Sequence, residues 1–432
     1  MRVARPLADR SLLAPWRLAF FCIVIWYLPQ LPAVAQPTVT GDLVLAGQVA
    51  ASAELLELRD QSRLRVSING MEKGISLDEV CRWGEAIPPK RFPVLLLTDG
   101  SQIVFRGMER QKDQLVIQSD LWESITIPES FVRGIVTTSP GSKENWFALF
   151  DRMNAATGRN DQVLLRDRGW IEGILQRSDG GKDPLAEVAT QQLRVDGKDV
   201  AIPAANIEAI IFSPVLTPVM PTKTGAKVGL KDGSELSCSQ WRIIQPGDYI
   251  ELTLRCGISL KSLDQSSTFA KSLHYLSNRP EQITFLSDKE ASSYKHIDWL
   301  TNKWPLGRDR DLMGRRLQGK QGTIEKGLAM HATSQAAFRW DKSPGQFLAA
   351  VKLAPTAEPG LTSQGNAIAK VMALKAGKLE TLYTSPAIQV NSPPESISLS
   401  IEGAELIILI VDAGSDGTLG DHVLWLDSRI SK

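Results

Sequence analysis

The sequence predicts an all-β protein, with a C-terminal β-sandwich preceded by small β-barrel-like repeats. Three observations predict it. Val, Ile, Leu and Thr alternate with polar residues over much of the 432-residue chain, which is the period of half-buried strands. Asp-Gly and Pro punctuate these runs with the turn chemistry of hairpins. The repeat region offers one helical stretch, Asn145–Thr157. With 43% hydrophobic and 22% charged residues the composition is globular, and the length calls for two to four domains. A net charge of +1 gives no basic or acidic excess directed at nucleic acid or a charged membrane surface. Four His and four Cys limit the metal and nucleophile chemistry available.

Residues 1–35 read as an export signal. Arg2, Arg5, Arg10 and Arg17 form a basic start, Leu18–Leu28 is an apolar run, and Ala33-Val34-Ala35 fits a small-x-small cleavage site before Gln36. The apolar run is short for a bilayer span, and Pro29 and Pro32 break the residues directly after it. Cleavage would leave an exported chain without a stable membrane span; the alternative is an uncleaved signal anchor. Removal takes away four Arg and one Asp, leaving 45 basic and 47 acidic residues and a net charge of −2. Cys22 leaves with the signal. Cys238 and Cys256 lie on successive β-patterned segments, so a cross-strand disulfide stands against two buried thiols, with Cys81 left over.

After a β-rich segment over 36–90, one sentence is written more than once: two units and a connecting helix over 91–217, and a third unit over 218–271. Val94-Leu-Leu-Leu-Thr-Asp-Gly-Ser101 opens the first, Val163-Leu-Leu-Arg-Asp167 the second and Val228-Gly-Leu-Lys-Asp-Gly-Ser234 the third. Pro128 to Ile135 and Pro203 to Ile210 are both seven residues apart, and Asp99 to Ile127 and Asp232 to Leu260 are both 28 apart. An earlier fragment, Ile75-Ser-Leu77, echoes Ile258-Ser-Leu260. Each unit reads as strand, Asp-Gly turn, strand, loop, strand and an Ile-Pro corner, since Pro has no N–H for the ladder. Such a unit buries little alone, so neighbours must pack together. Asp99 and Asp232 are read as turn residues. Trp122, Trp146, Trp170 and Trp241 are read as core before sugar platforms.

Residues 272–432 form the predicted sandwich, with strands at Gln335–Trp340, Gln346–Leu353, Ala367–Leu374, Thr381–Tyr383, Ser396–Ile401, Glu405–Val411 and His422–Asp427. Tyr275-Leu-Ser277, Trp304-Pro305, Arg308-Asp309-Arg310, Lys326-Gly-Leu-Ala-Met-His-Ala332 and Val411-Asp412…Gly420-Asp-His422…Trp425…Asp427-Ser-Arg429 occur in order across it. On these residues the stretch resembles the NPCBM domain, a carbohydrate-binding module family of galactose-binding-domain-like jelly-roll fold. The preceding repeats are similar to SH3-like segments of secreted bacterial proteins, notably planctomycete ones. The resemblance implies a non-catalytic, glycan-binding module. One departure stands out: after Lys352 the family usually carries an acidic pair, whereas here Leu353-Ala-Pro-Thr-Ala-Glu-Pro-Gly360 keeps only Glu358.

Independently of the family, a sugar needs polar groups for its hydroxyls and an aromatic ring beneath its C–H face. Trp304, His331, Asp421, His422 and Trp425 have the right chemistry, although Trp425 reads more readily as a core plug. Asp412, Asp416 and Asp421 carry oxygens for Ca²⁺, with Gly414, Gly417 and Gly420 letting the chain wrap an ion. Their spacing is not that of an EF-hand, and an Asp/Gly hairpin turn explains it more simply. Calcium is therefore optional and no cofactor is required. No carboxylate pair is specified for glycoside hydrolysis. The expected partner is a glycan or cell-envelope polysaccharide, with no nucleic acid. The alternative is a structural protein of the envelope that binds another envelope protein through a sandwich that has lost its sugar, and a glycoside hydrolase ranks third.

Overall fold

The computed structural model describes residues 40–60, 62–166, 169–176, 190–216, 225–297, 303–355, 365–415 and 417–432. The predicted export signal, Asp167, Glu358 and Asp416 lie outside them. From Val39 onward the chain forms one compact unit. Among the described residues no helix is long and apolar enough to cross a membrane.

The first part is one unit used four times, where the sequence pattern showed three copies and a fragment. In the first, Thr40–Leu45, Ala51–Arg59, Arg63–Ile68 and Met71–Ser76 lead through a single helical turn, Leu77–Glu79, into Val80–Gly84. The same order recurs in the third and fourth units, and in the second with its second strand broken into Gln102–Val104 and Gly107–Gln111. Turns at Glu129–Phe131 and Ala204–Asn206, and the short helix Ser266–Ala270, lead into Val132–Val136, Ile207–Ile211 and Leu273–Ser277. Ile75-Ser-Leu77 is thus the trace of a complete unit. Pro128 and Pro203 sit where the fourth strand ends and the turn begins, a place that needs no ladder N–H.

The last strands join the units. Val132–Val136 pairs with Ile207–Ile211, linking the second unit to the third, and Val80–Gly84 pairs with Leu273–Ser277, linking the first to the fourth. The second and fourth meet at their Asp-Gly-Ser turns. Asp99 Oδ1 accepts from the Ser101 amide at 2.9 Å and Asp232 Oδ1 from the Ser234 amide at 2.8 Å. Gly100 and Gly233 take φ of +85° and +91°, which a side chain would oppose. The turn serines then cross over: Ser234 Oγ accepts from the Val104 amide and Ser101 Oγ from the Ser237 amide, both at 2.9 Å. Both aspartates are turn residues, as read from the sequence.

The helix spans Lys143–Ala155, starting where Ser142 Oγ accepts from the Asn145 amide at 3.1 Å. It buries Trp146, Phe147, Leu149 and Met153 against strands of the second and third units. Trp122 and Trp241 are also core, while Trp170 is half-buried beneath the Arg152 guanidinium, 4.0 Å from its ring centre. The disulfide is corrected: Cys238 and Cys256 are free buried thiols. Register places Cys238 opposite Leu254, and Cys256 lies beyond the strand end, in the turn. Burial first, and then Asp99, pushes the Cys256 thiol up to about 12 and the Cys238 thiol higher still.

The sandwich begins later than expected. Leu273–Ser277, with Tyr275, belongs to the fourth repeat, and the first sandwich strand is Ile283–Phe285. One antiparallel sheet runs Gly307–Arg308, Gly327–His331, His422–Ser431, Gln346–Leu353, Glu395–Ser400. The facing sheet runs Ser293–His296, Ser334–Arg339, Ala404–Ala413, Asn366–Lys375, Lys378–Thr384. Alternate residues of both sheets, among them Phe338, Phe347, Val371, Leu409 and Trp425, interdigitate as one core.

Polar groups hold the sandwich on the repeats. Arg82 donates from Nη2 to Asp427 Oδ2 at 2.8 Å, with both side chains buried. Arg429 donates to the carbonyls of Leu45 at 2.8 Å and Ala46 at 3.2 Å. The Glu85 carboxylate accepts from the backbone N–H groups of Lys320, Gln321 and Gly322 at 2.8, 2.6 and 2.5 Å. These contacts leave the opposite end of the last strand as the end that is not docked.

Candidate functional site

At that end, Gly327–His331 and His422–Ser431 run side by side with His331 directly opposite His422. Their position follows from register: both strands terminate there, so two imidazoles occupy one rim. The chain then turns at Ala332 into the facing sheet, where Ser334 lies opposite His296. Trp304 comes in on the loop ahead of Gly307, and the Tyr294 hydroxyl donates to its carbonyl at 3.1 Å. Two of the chain's four histidines, His331 and His422, therefore meet one tryptophan, and a third, His296, meets His331.

The rings are in contact. Trp304 stacks on His331 with centroids 5.4 Å apart and planes inclined by 14°, and meets His422 edge-on at 4.9 Å. His331 is edge-on to His422 at 5.1 Å and to His296 at 5.3 Å. His296 Nε2 lies 3.3 Å from His331 Nδ1, which also contacts the Ala332 carbonyl. The carbonyl only accepts, so the His331 proton sits on Nδ1 and its Nε2 is left as an acceptor. Burial, followed by the neighbouring His422, pushes His331 down to about 4. Burial also lowers His422, against Asp311. Both are neutral at pH 7, so His331 offers its Nε2 as an acceptor and His422 one donor and one acceptor to sugar hydroxyls. Trp304 and His422 are half-buried and His331 is 9% exposed.

Two predicted site residues are buried instead of lining the rim. Trp425 is fully buried in the sandwich core and cannot serve as a sugar platform. It follows His422 by three residues, so pleating turns it inward while His422 sits at the rim. Asp421 is next to the ring cluster but is completely buried; its Oδ1 accepts from the Asn366 amide at 2.8 Å and its backbone carbonyl from the Ala332 amide at 3.2 Å. It holds three chain segments together at the rim. Asp412 pairs with Lys370 at 2.7 Å. Among the described residues no three His, Cys, Asp or Glu side chains are grouped to hold a metal. His296 and Tyr294 were missed, because they lie in a polar, irregular stretch; the scarcity of histidine was the one available signal.

Residues 284–431 match the NPCBM/NEW2 domain family. The chain is similar to the CBM51 module of Clostridium perfringens GH95, solved with methyl-galactose, at 18% identity and a TM-score of 0.29, covering 34% of this chain and 99% of that one. It is similar to the CBM51-2 and INT domains of C. perfringens ZmpB, solved with GlcNAc, at 17% identity and a TM-score of 0.30, covering 48% of this chain and 43% of that one. The tandem CBM51 modules of the family 98 glycoside hydrolase Sp3GH98 from Streptococcus pneumoniae SP3-BS71 match at 14% identity and a TM-score of 0.30, covering 65% and 91%. Scores of this size carry no argument about ligand, and the fold rests on the strand pairing and the family match. No curated protein matches the chain.

Proposed function

We propose that the chain is an exported, non-catalytic glycan-binding protein that engages its ligand at the Trp304–His331–His422 rim. The observation that carries this reading is one half-buried indole packed against neutral imidazoles at the undocked end of a sandwich matching a carbohydrate-binding family. The indole offers a face for sugar C–H groups and the imidazoles offer donors and acceptors for hydroxyls. Calcium is not required in this reading.

The test is a glycan array probed with the purified chain, with and without Ca²⁺, including methyl-galactose and GlcNAc among the ligands. Retention of a glycan, weakened at least tenfold by Trp304→Ala or His422→Ala, is the expected outcome. An array with no hit, or a hit indifferent to both variants, would end the proposal. A second reading, a structural or protein-interaction protein of the envelope, draws on Asp421, Trp425, Asp427 and Arg429 of the terminal motif all serving packing. A stable protein partner recovered with no glycan hit would favour it.

A further inference from the structure

His296 is the one ring of the cluster that glycan binding leaves unused. It ends the edge strand Ser293–His296, which pairs with Ser334–Arg339 alone among the described residues. Its Nε2 lies 3.3 Å from His331 Nδ1, with the ring centroids 5.3 Å apart. The proton on His331 Nδ1 is directed to the Ala332 carbonyl, so the contact between the two rings holds only while His296 Nε2 presents a lone pair. Neutral His296 therefore carries its proton on Nδ1. That atom is buried and has no hydrogen-bond partner among the described residues.

A second proton has no place in this arrangement. On Nε2 it would set one N–H against another across the same 3.3 Å, while the Nδ1 proton stays buried and unmatched. The groups around His296 supply no counter-charge. His331 faces it directly, and His422 on the last strand lies behind, 5.1 Å from His331. Asp311 and Arg315 act on His422 and pair with each other at 2.7 Å. Asp421 is buried beside His422 and holds the Asn366 amide. On the edge strand itself, Lys295 points to the opposite face and is exposed, whereas Tyr294 shares the face of His296. Tyr294 is the mechanical link, because its hydroxyl donates to the Trp304 carbonyl at 3.1 Å. One short strand thus supports Trp304 through Tyr294, and braces through His296 the His331 ring on which Trp304 stacks.

We propose that the rim is gated by a proton: uptake at His296 breaks its contact with His331, displaces the edge strand and unseats Trp304, so that acid opens the site and releases its ligand. The bistable element is the end of a strand held by two side-chain contacts, and the proton biases it by removing one of them. The gating of Trp304 stands on these contacts alone. The release of a ligand rests on the glycan-binding reading above.

The experiment follows the tryptophan fluorescence of the full chain from about pH 7.5 to about pH 5, with Trp304→Phe isolating the share of Trp304. A reversible step is expected in the wild type and is absent from Trp304→Phe. His331, held down at about 4, is still neutral at the acid end of this range, so the step does not come from the ring stacked on Trp304. His296→Gln keeps a polar side chain that takes up no proton and should abolish the step. Tyr294→Phe cuts the link to the Trp304 carbonyl and should shrink it. Melting curves near neutral pH check that each variant is folded. A Trp304 signal that does not change over this range, or a step of full size in folded His296→Gln, would overturn the gating. A glycan retained on the array is then measured at both ends of the range. About tenfold weaker binding in acid is expected of the wild type, as when about nine-tenths of the rims are unseated, and near-equal binding of His296→Gln. Equal binding by the wild type would overturn the release. A fluorescence step with no glycan hit supports the gating and ends the glycan reading.

Discussion

The two ends of the last strand, His422–Ser431, have different fates. At its start, His422 sits half-buried at a rim of aromatic rings. Five residues on, Asp427 is enclosed with Arg82, and Arg429 is fully buried on the carbonyls of the first repeat. One continuous family signature thus does two jobs: its beginning frames a candidate ligand site, and its end is the anchor on the repeats. The difference teaches that a residue's membership in a motif does not assign it to a site. What decides is which end of the sandwich the neighbouring domain covers.

The comparison can be broken most forcefully at the docked end. Arg82→Ala or Asp427→Ala leaves a buried charge without its partner and should cost about 3–5 kcal/mol in urea unfolding. A loss below ~1 kcal/mol would show that the anchor is not buried in solution. Trp425→Ala opens a core cavity and should cost about 3–5 kcal/mol, judged by the denaturation midpoint at unchanged slope. Trp304→Ala at the rim should cost less than ~1.5 kcal/mol and act on ligand instead; equal losses for the two tryptophans would erase the distinction.

Acid should act on the rim. His331 and His422 are both lowered in the native state, so on acidification the unfolded chain takes up these protons first. Their stabilisation is therefore complete above about pH 6.5 and is lost as pH falls toward the native His331 value of about 4. For His331 the loss amounts to on the order of 3 kcal/mol. His331→Gln should flatten the stability–pH slope between those limits, and an unchanged slope would remove His331 as its source. Smaller still, Glu85→Gln weakens the cradle around Lys320–Gly322 and should cost about 1.5–3 kcal/mol. Faster amide exchange confined to those three residues is the accompanying signature.

Much of the fold was legible. Strand alternation located the sandwich strands, and Gln346–Leu353 agrees to the residue. Asp-Gly-Ser spacing identified two turns whose aspartates do close them. The first repeat was nearly invisible, because it lacks the Asp-Gly-Ser and Ile-Pro markers and its one echo of the others is Ile75-Ser-Leu77. The site was legible in part. Of the residues in the candidate rim, the sequence named Trp304, His331 and His422, while His296 was hidden because neighbours across two sheets leave no trace in sequence spacing.

By itself, the sequence determined the all-β class, the turn positions and the alternation that sends Trp425 inward, since these follow from local backbone preference and from the two-residue pleat. Only the tertiary structure decided that Tyr275 belongs to the repeats, that Cys238 faces Leu254, and that His296 joins His331. Each depends on register between strands far apart in the chain. Register is set by how whole sheets bury their faces, a balance summed over the core and written in no single segment.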